Sequence, residues 1–215
     1  MANASTTGFG FVPVMALGNT PATSGQSKYK IKSGLGIAIC QNDPVSLQDS
    51  GGDQGYVQDA SPATTDDGGT GGASYNVDSP VSAAPLIGVF NGAFYVASTT
   101  NKPTWANNVA ASTSFAANPN TDANSTDGFA FVNDNPFQEY EIALTATTGA
   151  APITQDTIQN QFGGLADTTA SATSTGGRSS CTLAAPTASG AGAHGWAALR
   201  SAEDPDNSDF TAAYA

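Results

Sequence analysis

The chain is short of charged residues, and of basic residues most of all. Only 11% of its 215 residues are charged, against about 25% in an average soluble protein. Six basic residues stand against 18 acidic ones, which gives a formal net charge of −12. A charge of this sign repels nucleic acid and anionic membranes, so neither is expected as a partner. It suits the outer face of a large assembly, and equally an ordinary acidic surface protein.

Long apolar runs are also missing. No window approaches the roughly 18 apolar residues of a membrane-spanning helix. The first residues, MANASTTGFGFVPVM, have neither the basic start nor the apolar run of a standard export signal. We therefore expect a protein that is made in the cytoplasm and has no membrane partner.

Metal-binding and redox residues are scarce. The chain has two cysteines, Cys40 and Cys181, far apart and in no CxxC spacing, and one histidine, His194. A zinc site is therefore not expected. In a cytoplasmic product two buried thiols are favoured over a disulfide. The glycines of DDGGTGGAS follow no phosphate-loop spacing, so no nucleotide or other cofactor is predicted.

The sequence contains a series of short strand patterns between turn-forming residues. Lys28, Lys30 and Lys32 alternate with apolar residues, the period-2 pattern of a strand with one solvated face. DPVSL predicts a turn that leads into a short strand. APLIGVFNGAFYVAS predicts two core strands hinged near Asn91 and Gly92.

Long loops rich in Gly, Asp and Ser separate these strands, and only PITQDTIQNQFGGLAD, residues 152–167, predicts a short helix. Together the patterns predict a mainly β fold, either a β-sandwich or a barrel.

The chain is predicted to begin with an extended N-terminal arm, residues 1–26, followed by a single β-rich domain, residues 27–215. Pro13 and Pro21 forbid a continuous helix, and several glycines weaken any long strand. This segment can be the first strand of the domain or an arm laid on a neighbouring chain, and the pattern does not separate the two.

Two glutamates, Glu139 and Glu141, are the only paired carboxylates in a strand pattern. Residues i and i+2 of a strand lie about 7 Å apart on one face, a separation that does not exclude acid and base work on a sugar. Their neighbours are typical of an ordinary amphipathic strand, which predicts a solvated face instead. His194 lacks the nucleophile motif of a serine hydrolase. We expect a protein that is not an enzyme.

Calcium is the best of the weak metal hypotheses, because hard oxygen ligands cluster in NTDANSTDG and EDPDNSD. The EF-hand pattern fails, since Ser125 and Phe131 stand where glycine and glutamate are needed. Turn formation explains these residues without a metal, so no metal site is predicted. The calcium candidates are Asp122, Asp127, Asp204 and Asp206.

The order of several landmarks resembles a family of tailed-bacteriophage virion proteins. The landmarks are GFGFVPVMALGNTPATSGQSKYKI, DPVSL, LIGVFNGAFY, AFVNDNPFQEYEI and LRSAEDPDNSDFTAAYA. The resemblance implies a decoration or cement subunit on the capsid exterior, with the major capsid (coat) protein as its partner and a homotrimer as its oligomer. It also implies that residues 43–45 and 134–136 are structural turns. The chain departs from the family at its end, where a further apolar strand is usual.

We predict that apolar residues of the N-terminal arm contact the capsid, namely Phe9, Phe11, Val12 and Pro13. One alternative is another virion part, such as a head fibre or a tail component. A second is a secreted adhesin or carbohydrate-binding β-module, whose sugar-binding aromatics would be Trp105 and Trp196.

Overall fold

The computed structural model describes about half of the chain. The described residues are 8–17, 20–21, 25–48, 54–60, 86–117, 126–145, 161–162, 164–166, 176–184, 196–197, 199–200 and 202. These residues contain strands, turns and bends but no helix, so the prediction of a mainly β fold is confirmed.

The described residues form fourteen strands. In chain order they are β1 (Val12–Ala16), β2 (Thr20–Pro21), β3 (Gln26–Ile31), β4 (Pro44–Leu47), β5 (Val57–Asp59), β6 (Leu86–Val96), β7 (Pro103–Ala106), β8 (Gly128–Asn133), β9 (Gln138–Glu141), β10 (Leu144–Thr145), β11 (Gln161–Phe162), β12 (Gly164–Ala166), β13 (Thr182–Ala184) and β14 (Trp196–Ala197).

The main sheet has six strands in the order β3-β8-β6-β4-β5, and β7 pairs with the second half of β6. All of its strand pairs are antiparallel. A single bridge between Lys30 and Tyr56 joins its two end strands. Because the described residues form no continuous ladder there, the sheet is not a closed barrel. The choice between a sandwich and a barrel stays a prediction.

The longest strand, β6, corrects one expectation. The sequence predicted two strands hinged near Asn91 and Gly92, whereas the structure has one strand of 11 residues. Between Phe90 and Gly92 the register of β6 against β8 shifts, which forms a β-bulge. The strand therefore bends but does not end.

One face of the main sheet carries the core. Its fully buried side chains include Ile31, Val45, Val57, Phe90 and Val132, with Ile39, Val109 and Phe115 packed from the adjoining loops. Burying a side chain of this size contributes about 1.5–3 kcal/mol relative to leaving it in water. This core anchors the main sheet and so fixes the positions of the side chains on its opposite face.

The N-terminal segment is part of the domain over residues 8–17. β1 pairs with β9 and β2 in a separate three-stranded antiparallel sheet. Phe11 is only 1% exposed, its N–H donates to Asn42 O at 2.9 Å, and its ring meets that of Tyr140 edge to face. Over residues 8–17 the segment therefore corresponds to the alternative in which it forms the first strand of the domain, since β1 pairs with β9 and Phe11 is buried. The division into an arm over 1–26 and a domain over 27–215 stays a prediction.

Two further small sheets complete the described residues. β10, β13 and β12 form one, and β11 pairs with β14 in the other. The predicted helix over 152–167 is wrong where it can be compared, because residues 161–162 and 164–166 are extended and paired. Its other residues lie outside the described part of the chain.

The turns and the cysteines behave as expected. The Asp43 carboxylate accepts a 2.6 Å hydrogen bond from the Cys40 N–H just before β4, as the predicted turn requires. A turn at 136–137 leads from β8 into β9. Cys40 and Cys181 are buried thiols and no disulfide joins them, which confirms the cysteine prediction.

Candidate functional site: two exposed apolar surfaces

The paired glutamates lie in a structural contact. Glu139 is in β9, and one of its carboxylate oxygens accepts a 2.8 Å hydrogen bond from Arg200. Its side chain is 11% exposed, so the predicted solvated face is wrong at this position. Arg200 also approaches the Met15 sulfur of the neighbouring strand. These two contacts connect Arg200 to the β1–β9 ladder.

The calcium candidates do not come together in the described residues. Asp127 is buried, where one carboxylate oxygen accepts a 2.8 Å hydrogen bond from the Tyr56 hydroxyl and lies 3.5 Å from the Lys30 ammonium. Asp122, Asp204 and Asp206 lie outside the described residues, as does His194. Among the residues whose positions are described, no three His, Cys, Asp or Glu side chains are grouped closely enough to hold a metal ion.

The predicted capsid-contact residues differ in how accessible they are. Phe11 is enclosed by its own chain and is not available to another, Phe9 and Val12 are half-buried, and Pro13 is exposed. The exposed apolar side chains of this region lie further along the ladder, at Val14, Leu17 and Phe137. The capsid contact of Phe9, Phe11, Val12 and Pro13 stays a prediction.

These three residues form a first surface, which we call the β1–β9 patch. Val14 is the extra residue of a register shift between Pro13 and Met15, which leaves it without a partner in β9. Beyond the ladder's end the Leu17 N–H donates to Phe137 O at 2.8 Å, so these two residues face each other. Phe137 is 63% exposed. A bulge and a turn thus hold apolar side chains in solvent.

The second surface is the outer face of the main sheet. Directly opposite residues of antiparallel strands share a face, and the register runs from Trp105 to Phe94, then Phe129, then Lys30. In the next row, Phe131 lies between Gly92 and Lys28. We call this surface the aromatic face. It comprises Phe94, Trp105, Phe129, Phe131, Lys28 and Lys30.

Trp105 dominates the aromatic face. Its ring contacts Phe131 with centroids 4.7 Å apart, and it lies over Gly92, where an added Cβ would meet the indole at 2.9 Å. Glycine thus leaves room for the ring to lie against the sheet. The side chain remains 52% exposed, while Phe94, Phe129 and Phe131 are only half-exposed. The result is one exposed indole plate against the sheet, with its ring plane tilted by 49° from that of Phe131.

Lysines border this plate. The Lys28 ammonium lies 4.1 Å from the centroid of the Phe129 ring, within cation–π range. Lys30, in the same strand and on the same face, is more than half exposed. Half of the basic residues of the whole chain are Lys28, Lys30 and Lys32. Lys30 also lies 3.5 Å from the Asp127 carboxylate, which offsets its charge, so Lys28 supplies most of the positive charge of this face.

Two tyrosines, Tyr29 and Tyr140, have raised pKa values. Burial raises the pKa of Tyr140, and the nearby Asp134 carboxylate raises it further. Burial also raises the pKa of Tyr29, whose hydroxyl donates a 2.8 Å hydrogen bond to Asp134. Both effects favour the neutral phenol, and both hydroxyls serve as hydrogen-bond donors in the fold.

Comparison with protein-family models, with curated proteins and with solved structures gives no match for this chain. In the described residues there is no helix long and apolar enough to cross a membrane.

Sequence reasoning found some of these features and missed others. It placed Lys28, Lys30 and Lys32 on the solvated face of a strand, but it did not connect them with the phenylalanines of β8. Only the register of β3 against β8 brings them together. Trp105 was named as a sugar-binding candidate under the alternative of a carbohydrate-binding module.

Proposed function

We propose that this chain is a structural virion protein that decorates the outside of a tailed-phage capsid and cements its coat-protein lattice. The order of sequence landmarks supports this proposal, together with the mainly β fold and the acidic charge. The β1–β9 patch is the observation that carries it, because an exposed apolar surface on a polar, acidic chain is typical of a protein-binding site.

The proposed contact with the coat protein is mechanical. Val14, Leu17 and Phe137 would leave water on binding, and Phe137 is the aromatic residue best suited to fill a pocket on the partner. In the part of the chain that the structure describes, β9 is an edge of its three-stranded sheet, so the partner can also add a strand there. Many copies, favoured by us as trimers, would then stabilise the shell although each contact is modest.

Binding to coat shells tests the proposal. Purified chain is mixed with capsids that lack it, and the bound fraction is measured by cosedimentation. Phe137→Ala should weaken binding about tenfold or more, because aromatic anchors supply a large share of interface energy. Trp105→Ala is the matched control, since it removes another exposed aromatic residue outside the β1–β9 patch, and it should bind as the wild type does.

Two results would contradict the proposal. Wild-type chain that does not bind any capsid surface removes the decoration role. Equal loss with Phe137→Ala and Trp105→Ala would mean that the β1–β9 patch is not the contact. A head fibre or tail component, the nearest alternative, would bind only at a few positions per particle.

A further inference from the structure

We propose that the aromatic face is a second binding site, and that its ligand is a saccharide carrying carboxylate groups. This inference does not rest on the proposed function, because it uses a different surface and different residues. It begins with the observation that Trp105 is the one aromatic residue of this face whose side chain is more than half exposed.

The geometry of Trp105 fits a sugar ring. The contacts with Phe131 and Gly92 occupy one side of the indole and hold it against the sheet. Because β7 is paired with β6 along residues 103–106, the backbone that carries the ring is also fixed. A flat, immobilised ring offers apolar contact area at low entropic cost. The apolar C–H face of a pyranose has the matching shape.

The size of the exposed area favours a saccharide over a protein partner. A stable protein interface buries about 800 Å² on each side, and needs several exposed apolar residues. On the aromatic face only Trp105 is widely exposed, since Phe94, Phe129 and Phe131 are half-buried, Phe131 against Trp105 and Phe129 beneath Lys28. The exposed Asn107, two residues after Trp105, supplies an amide that can bond sugar hydroxyls.

The charge of the face selects acidic saccharides. Lys28 and Lys30 lie in β3, three strand spacings from Trp105, which corresponds to about 14 Å. A short oligosaccharide with one ring on the indole can span that distance and place a carboxylate beside the lysines. On a chain of net charge −12 Lys28 is the main local attraction for an anion, because Lys30 is already paired with Asp127.

An array of immobilised saccharides, half with uronic or sialic acid units and half neutral, is the first experiment. The full-length chain should bind carboxylated members, and the affinity of the best one is then measured by calorimetry. Trp105→Leu keeps an apolar cover over Gly92 but removes the flat ring, and it should weaken binding at least tenfold. Phe137→Ala, which removes an even more exposed aromatic residue in the β1–β9 patch, should leave saccharide binding unchanged.

Lysine variants test the charge selection separately. The double change Lys28→Gln and Lys30→Gln should weaken binding of the acidic saccharide at least fivefold, and should have no effect on a methyl-esterified form of the same saccharide. A thermal melt of each variant identifies any loss of fold, and Trp105→Tyr provides a milder change that should retain part of the affinity.

Three outcomes overturn the inference. The first is an array in which no carboxylated saccharide is bound. The second is a folded Trp105→Leu variant that binds as the wild type does. The third is a loss of capsid binding, instead of saccharide binding, in the Trp105 variants, which would assign the face to a protein partner. None of these depends on whether Phe137 contacts a coat protein.

Discussion

At the scale of single residues, Asp127 links the two ends of the main sheet. Its carboxylate accepts the Tyr56 hydroxyl from just before β5 and approaches Lys30 in β3. Asp127→Ala leaves the buried end of Tyr56 without this acceptor, so we expect the free energy of unfolding to fall by about 1–3 kcal/mol. Urea unfolding followed by circular dichroism measures the change.

Tyr56→Phe supplies the control for this interaction. Combined with Asp127→Ala in a double-mutant cycle, it should show a coupling energy of at least about 0.5 kcal/mol. Strictly additive losses would mean that the two side chains do not depend on each other. The Lys30 contact is largely exposed and is expected to contribute little.

Tyr140 predicts how stability depends on alkaline pH. Burial raises its pKa above the ordinary 10.0, so the folded state retains the phenol proton after the unfolded state has lost it. The unfolded state then binds fewer protons, and stability falls as pH rises above about 10. Urea unfolding at pH 8, 10 and 11 should show this decline, and Tyr140→Phe should reduce its slope. An unchanged slope would contradict the role given to Tyr140.

At the scale of elements, β1 is a structural strand that also presents a surface. Because Phe11 is fully enclosed, Phe11→Ala should lower the free energy of unfolding by about 3–5 kcal/mol. Phe9→Ala, at a half-buried position two residues earlier, should cost clearly less. Chemical denaturation of both variants tests this. Equally small losses of unfolding free energy in the two variants would indicate instead that the segment is an arm that can detach from the domain.

The close packing of β6 against β8 depends on glycine at position 88. An added Cβ would overlap the backbone oxygen of Asn133 and meet Val132 at 2.9 Å, and the backbone φ is +155°. Gly88→Ala should therefore destabilise the protein by about 1–3 kcal/mol. Gly25→Ala is the control, since nothing lies within 4 Å of that position, and it should change stability by less than about 0.5 kcal/mol. Thermal unfolding that ranks the two variants in the opposite order would contradict this account.

The comparison of sequence and structure is also clearest for elements. Period-2 alternation predicted β3 and β9, and turn chemistry predicted the start of β4, because these features depend on neighbours in the chain. Strand register is not local, so the joining of Lys28 with the aromatic residues of β8 and β7 could not be read from the pattern. Helical spacing gave the wrong prediction at residues 161–162 and 164–166, because pairing with strands distant in the chain decides their conformation.

At the scale of the whole molecule, the described residues present two exposed apolar surfaces with different chemistry. The β1–β9 patch is aliphatic and aromatic and lies beside a sheet edge, whereas the aromatic face is a single indole plate bordered by lysines. A decoration subunit needs one surface for the shell and leaves the rest to solvent. The two surfaces can therefore act independently, and the variants Phe137→Ala and Trp105→Leu should each lose one binding activity and keep the other.

The copy number of this chain in purified virions tests the decoration role most directly. Quantitative mass spectrometry against the major coat protein gives the ratio of the two chains. The account predicts a copy number comparable to that of the coat protein, as a lattice-wide cement requires. A handful of copies per particle would indicate a head fibre or tail component instead, and complete absence from the particles would contradict the decoration role altogether.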